Sequence, residues 1–441
     1  TGFQQNGDAG KLVHGLLGWN KLAPESMALY QAPSRPGQMS FRLAAKPPRE
    51  AQMWMLEGIA GGIQLWWHHV GAYHEDRRAY HTAEPVFRWH KEHDRYLVNR
   101  QPVATVGVVW SQRNTDYFGR DEAATLVDLP YRGMTEALIK ARIPYVPVNA
   151  DHITRDTHEF RALLLPNVGA LSDAQCAAIR DFVKKGGALI ATGATSLYNE
   201  WGDSRKDFAL ADLFGAHAPA PDFGRSDRGR SVHSYMRIDP AMRSRIRPVL
   251  EGFEETEILP FGGMLENMRL DPGVLVPLTF IPPFPVYPPE TAWMRTPKTD
   301  IPALILNGRV AYLPAEIDSR FGRDNLADHA RLLANLVHWA VREAMPLEVR
   351  GPGFIDCHLY RQNARLILHL INLSNEATWR APIEEWIPVG PLHVTVKVPA
   401  GVQAASARGL VSGAAMPVEV SNGRASFEVK SIRDHEVVVI G

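Results

Sequence analysis

The chain has little of what would tie it to several common classes of protein. Its 441 residues include two cysteines, Cys176 and Cys357, far apart and one of them inside a helix pattern. Neither a disulfide framework nor a thiolate metal site is therefore expected. Net charge is missing too: Lys plus Arg and Asp plus Glu number 48 each, so no global field draws the protein to nucleic acid or to an anionic membrane. No apolar run approaches the roughly 20 residues that span a bilayer, and no signal-peptide pattern opens the sequence. Because it begins at Thr1, within what reads as loop and helix, the compartment stays open between cytoplasmic and exported. Glycine-rich phosphate cradles of the forms GxGxxG and GxxxxGK[ST] are absent between strand and helix. No cofactor is expected, and a neutral ligand fits better than a polyanion.

Tryptophan, in contrast, is plentiful, with 11 residues. Aromatic faces pack against the C–H faces of sugar rings, although large aromatics also simply fill cores. Trp54, Trp66, Trp67, Trp89 and Trp110 fall in one part of the sequence, and residues 61–77 read GGIQLWWHHVGAYHEDR. There an apolar strand, Gly61 to His69, runs into paired tryptophans, paired histidines and then carboxylates. Ser26 to Ala32 forms an earlier strand-like segment. Between them, Arg49 to Ala60 has helix-forming composition with Met53, Leu56 and Ala60 on one face, which is the crossover that parallel strands require. A further helix from about Tyr80 to Val98 carries Val86, Phe87, His90 and Tyr96.

Residues 1–100 thus contain two βα units, read as the end of a (β/α)₈ barrel. Chemistry in such barrels gathers at the C-terminal ends of the strands, which points to Tyr30 and Gln31 on one strand and to Trp66, Trp67, His68 and His69 on the next as substrate-binding residues. Successive strand residues face opposite ways, so only one of His68 and His69 can face a pocket. A core histidine is the alternative, and a metal site with His74 is disfavoured because zinc wants three or four convergent ligands. Asp76 and Arg77 follow in the loop, as a rim contact or a surface ion pair. A whole barrel takes about 200 residues or more, so the expectation is a C-terminal portion of a longer polypeptide.

Residues 101–344 alternate apolar strands with helices, among them VATVGVVWSQ, IPYVPVNA, FRALLLPNVGAL and ALIATGATS, with a helix over Arg132 to Arg142. Ser172 and Gln175 form a capping box, and Gly186 with Gly187 supplies the stop. This describes a doubly wound parallel sheet of flavodoxin-like or amidotransferase-like type, interrupted by a Pro- and Gly-rich insertion over about 216–299. Where an amidotransferase would carry a nucleophile, the chain reads Ala191, Thr192, Gly193, Ala194, so the domain is expected to be structural or assembly-forming. An amphipathic helix is expected over Asn325 to Glu343. Residues 345–441 alternate apolar and polar residues between turns, as a small antiparallel β-sandwich. No chemical constellation is visible there, and His358 and His369 read as ordinary sheet residues.

The order of these parts, with VGVVWSQRNTDYFG, LLLPNVGALSDAQCAAIRDFVKKGGALIATGATSLYNEWG and a β tail, resembles glycoside hydrolases of the family-42 β-galactosidase type. More closely it resembles related bacterial hydrolases that carry a β-galactosidase trimerisation domain. RPGQM at residues 35–39 and GIAGGIQLWWHH resemble their last barrel strands. The resemblance implies a carbohydrate substrate, a homotrimer formed through the middle domain, and a retaining mechanism with two carboxyl groups about 5 Å apart. It places the acid/base on a strand this chain does not hold, and the nucleophile near Glu25, the only carboxylate close to the penultimate strand. If that strand runs Ser26 to Gln31, Glu25 lies at its start; if it ends near Glu25, the carboxylate points into the pocket. A non-catalytic carbohydrate-binding or assembly protein is the alternative.

Overall fold

The strand–helix–strand order expected over the first seventy residues is present. In the computed structural model, which describes residues 2–28, 30–31, 39–68, 76–219, 233–262, 268–375 and 383–441, the chain begins with α1 (Gln4–Leu17), β1 (Pro24–Ala28), β2 (Tyr30–Gln31), β3 (Phe41–Ala45), α2 (Pro48–Ala60), β4 (Gln64–His68) and α3 (Arg78–Leu97). β1 and β4 pair in parallel, from Pro24 opposite Gln64 to Ala28 opposite His68. One expectation is corrected. Tyr30 and Gln31 do not end the first strand but form a hairpin rung antiparallel to β3, where the Gln31 side-chain amide donates to Ala45 O at 3.0 Å.

Two compact units emerge: residues 1–104, 142–147 and 345–441 make one, and 105–141 with 148–344 the other. In the first, α2 opens with Pro48 at its first turn, where a missing N–H costs nothing, and buries Met53, Leu56 and Ala60 as its spacing requires. α1 crosses α2 closely because both are glycine at the contact. A Cβ on Gly61 would come 2.1 Å from Gly7 O, and one on Gly10 would come 2.7 Å from Gly61 O.

The same unit holds the expected antiparallel sandwich. A four-stranded sheet (Leu347–Arg350, Leu392–Lys397, Arg424–Val429, Glu419–Ser421) faces a six-stranded one built on Ile355–Gln362, Arg365–Asn372 and His435–Ile440, with Gln101–Pro102 added at its edge. Alternation on Ile355–Gln362 explains how the helices join it. Ile355, Cys357 and Leu359 enter the core between the sheets, while Asp356, His358, Tyr360 and Gln362 take the other face. From that face the Tyr360 hydroxyl donates to Ala60 O at 2.5 Å, and the Gln362 amide donates to Arg95 O and Val98 O at 2.8 and 2.7 Å. These are carbonyls at the ends of α2 and α3 that have no partner within their own helices. Arg142 likewise donates to Val349 O at 3.0 Å and to Gly351 O at 2.8 Å.

The second unit is built on a mixed sheet rather than a wholly parallel one. Its strands run in the order Ile258–Gly262, His233–Ile238, Leu275–Ile281, Pro302–Asn307, Val310–Leu313, Ala188–Thr192, Ala162–Leu165 and Val106–Trp110. Ladders from Val310–Leu313 through Ala188–Thr192 and Ala162–Leu165 to Val106–Trp110 are parallel. The 216–299 segment, expected as an insertion apart from the sheet, extends it instead with antiparallel strands. The hairpin at 302–313 reverses the chain direction and makes that extension possible. The capping box forms as expected, with Ser172 Oγ accepting from Gln175 N–H, and the long helix spans Ala327–Val341. A separate helix, Ile317–Asp324, was not anticipated. No helix among the described residues is long and apolar enough to cross a membrane.

Two predictions follow from this packing. Gly61→Ala is expected to destabilise the chain by about 1–3 kcal/mol, since a methyl must push α1 off α2; urea unfolding reads it, and an unchanged midpoint contradicts the contact. Asp318 is fully buried and accepts from Thr192 Oγ1 at 2.7 Å and from Ser319 N–H at 2.8 Å. Burial pushes its carboxyl up to about 7, with the Glu316 carboxylate adding to the rise. The unfolded chain then loses this proton near pH 4 and the folded chain near 7, so stability falls as pH rises between them, by on the order of 4 kcal/mol. The stability of wild type minus that of Asp318→Asn should decline over pH 4–7 and level off above; a flat difference contradicts the buried proton.

Candidate functional site

The ends of β1 and β4 bring the first group of candidate residues together. Trp66 sits opposite Ser26 in the ladder and stands 57% exposed, as a sugar platform would. Trp67 and His68 complete β4; their side chains, and His69 and His74 entirely, lie outside the described residues. Glu25 is the second residue of β1, opposite Leu65, so its backbone belongs to the start of the strand; its side chain is likewise outside the description. Tyr30 is half-buried and Gln31 exposed. Large apolar side chains are exposed in the same segment: Leu17, Leu22, Met39, Phe41 and Leu43.

Asp76 is engaged with Arg78 rather than Arg77. Arg78 Nη2 lies 2.6 Å from Asp76 Oδ2, and Ala45 N–H donates to the same oxygen at 2.9 Å. The Arg78 guanidinium, followed by the Ala45 amide, holds the Asp76 carboxyl well below the usual carboxylate range. Asp76 thereby ties the end of β3 to the start of α3, while Arg77 is exposed just ahead of that helix. Trp89 and Trp110 do not join Trp66. The Trp89 indole donates to Leu410 O at 3.4 Å and meets the His435 ring edge-on, and Trp110 ends a strand of the second unit. If Asp76 is the tie, Asp76→Ala should accelerate hydrogen exchange at the Ala45 amide while leaving amides of Arg365–Asn372 unchanged; equal protection at Ala45 in both proteins contradicts the tie.

A second constellation arises where none was expected. Glu57 on α2 and Asp356 and His358 on the adjacent strand each offer one ligand atom within 4.8 Å of the others, all buried. Asp356 Oδ2 lies 3.1 Å from His358 Nε2, and Glu57 Oε2 lies 4.0 Å from it. Lys11 and Asp8 of α1 flank the group 3.9 Å apart, with the Lys11 ammonium 3.9 Å from the centre of the Tyr145 ring and the Tyr145 hydroxyl donating to Asp8. Burial pushes the Glu57 carboxyl well up, and the Asp356 charge adds to the rise. Burial, with a smaller push from the Asp356 charge, raises Asp8 to about 6 against the pull of Lys11 and the Tyr145 hydroxyl, and burial depresses His358. In Asp356, burial is outweighed by His358 and Lys11, which hold it below its usual value. The sequence carried two signals of this group: an acid and a base two apart on one strand face, and a glutamate inside the apolar stripe Met53, Leu56, Ala60.

No family model and no curated protein matches this sequence. Solved structures do. The chain is similar to a β-galactosidase from Bacillus circulans sp. alkalophilus (TM-score 0.68, 14% identity, 100% of this chain and 58% of that one). It is also similar to Gan42B, a GH42 β-galactosidase from G. stearothermophilus (0.63, 12%, 99% and 56%), and to α-L-fucosidase isoenzyme 2 from Paenibacillus thiaminolyticus (0.66, 15%, 90% and 58%). The chain therefore shares the fold of a large part of GH42 β-galactosidases and spans somewhat over half the length of these neighbours.

Proposed function

We propose that this chain is part of a retaining glycoside hydrolase acting on a neutral glycoside or oligosaccharide, to whose barrel it contributes the last two staves. The observation that carries the reading is the parallel, in-register pairing of β1 with β4 across the crossover helix α2, the connection a barrel repeats. The structural neighbours support it, being β-galactosidases and a fucosidase. So do the apolar side chains exposed around β1, β3 and β4, which further staves would cover.

In this reading Trp66 and Trp67 stack on the sugar, while Tyr30, Gln31, His68 and His69 bind its hydroxyls, with Asp76 and Arg77 at the rim. Glu25 is the nucleophile candidate, although its place near the start of β1 sets it apart from strand-end chemistry. The acid/base comes from outside the chain, so the chain alone does not turn over substrate. The middle domain would form a homotrimer.

The test compares this chain with the polypeptide extended by its upstream coding region, on a panel of aryl glycosides. Turnover is expected from the extended protein alone, falling by orders of magnitude in Glu25→Gln if that residue is the nucleophile. Oligosaccharide affinity should drop about fivefold to tenfold in Trp66→Ala, the loss of one stacking contact. A folded, extended protein that binds oligosaccharide without turnover contradicts the enzyme reading and leaves the carbohydrate-binding one.

A further inference from the structure

We propose that Glu57, Asp356 and His358 form a buried site for one divalent transition-metal cation, a structural ion that clamps α2 to the strand Ile355–Gln362. Four observations converge. The donor set of two carboxylates and one imidazole suits zinc, manganese or ferrous iron. The three ligand atoms lie within 4.8 Å of one another. Ligands 2.0–2.2 Å from an ion stand roughly 3–4.4 Å apart, so a small inward adjustment completes the site.

Glu57 and His358 also have no employment outside the group. Apart from their contacts with Asp356, 3.1 Å from His358 Nε2, both carboxylate oxygens of Glu57 and both ring nitrogens of His358 have no hydrogen-bond partner at these fully buried positions. Buried polar groups left in this condition are rare and costly. Of the two cations nearby, Lys11 is shared with Asp8 and the Tyr145 face, and Arg100 donates to Ile59 O and His369 and lies over the Tyr360 ring. A divalent ion would cancel the two carboxylate charges, with the imidazole neutral as a ligand must be.

The group is closely covered. α1 presents Gly7 to the group, where a Cβ would come 3.1 Å from Glu57 Oε2 and 3.6 Å from His358 Cε1. All three ligand side chains are buried, which assigns the site to structure rather than to turnover.

The test uses the full chain, stripped with chelator and then offered zinc or cobalt(II) alone. One equivalent is expected to bind with a rise in unfolding temperature, and cobalt should give the intense visible bands of a four- or five-coordinate N/O site. His358→Gln and Asp356→Asn should each weaken binding at least tenfold. A folded wild-type chain that takes up no ion overturns the proposal. So do a cobalt spectrum no stronger than that of the hexaaquo ion, and binding undiminished in both folded variants, which would place the ion elsewhere. Should the variants fail to fold, the wild-type stoichiometry and cobalt spectrum decide.

Discussion

The outward face of strand Ile355–Gln362 is the constraint on which the first unit depends. An α-helix leaves its last carbonyls without partners, and here the ends of α2 and α3 find them in Tyr360 and Gln362 of that face. Each bond alone contributes about 1 kcal/mol, but an unmet buried carbonyl costs more than a met one gains. The N-terminal segment and the C-terminal sheet are accordingly one body, although more than 250 residues separate Ala60 from its partner Tyr360 in sequence.

That arrangement has a cost in buried charge. A strand whose alternate residues are polar on a covered face must have every one of them answered. Tyr360 and Gln362 are answered by helix ends; Asp356 and His358 meet a third ionisable group, Glu57, and neither Glu57 nor His358 is fully partnered beyond this group. Close approach of α1 through Gly7 seals the group from solvent and raises the stakes of its charge state. In the second unit the same economy is met differently: a single buried carboxyl, Asp318, is held by Thr192 and by the amide of Ser319.

Much of this fold was legible in the sequence because it rests on local periodicity. Met53, Leu56 and Ala60 announced the buried face of α2, the Ser172–Gln175 box announced its helix, and the apolar runs announced parallel strands. What escaped was non-local. Nothing near Ser26 to Ala32 says that Tyr30 and Gln31 pair antiparallel with β3, because register is decided by the partner. The strands of 216–299 read as isolated pieces until the hairpin at 302–313 offered them an antiparallel edge. His358 looked like a sheet residue because its partners Glu57 and Lys11 lie some 300 positions away. The candidate sugar site was legible only as an aromatic strand end. Trp66 stands exposed there, whereas Trp89, equally aromatic and close in sequence, packs against the C-terminal sheet.

The most direct test of this account is native-state hydrogen exchange in increasing denaturant. If the polar face of Ile355–Gln362 holds α2 and α3, amides of Leu56 to Ala60 and of Asp94 to Leu97 should open together with those of Tyr360 and Ile367, at one free energy and one denaturant dependence. Helical amides that exchange through a separate, lower-energy opening while the sheet stays protected would contradict it.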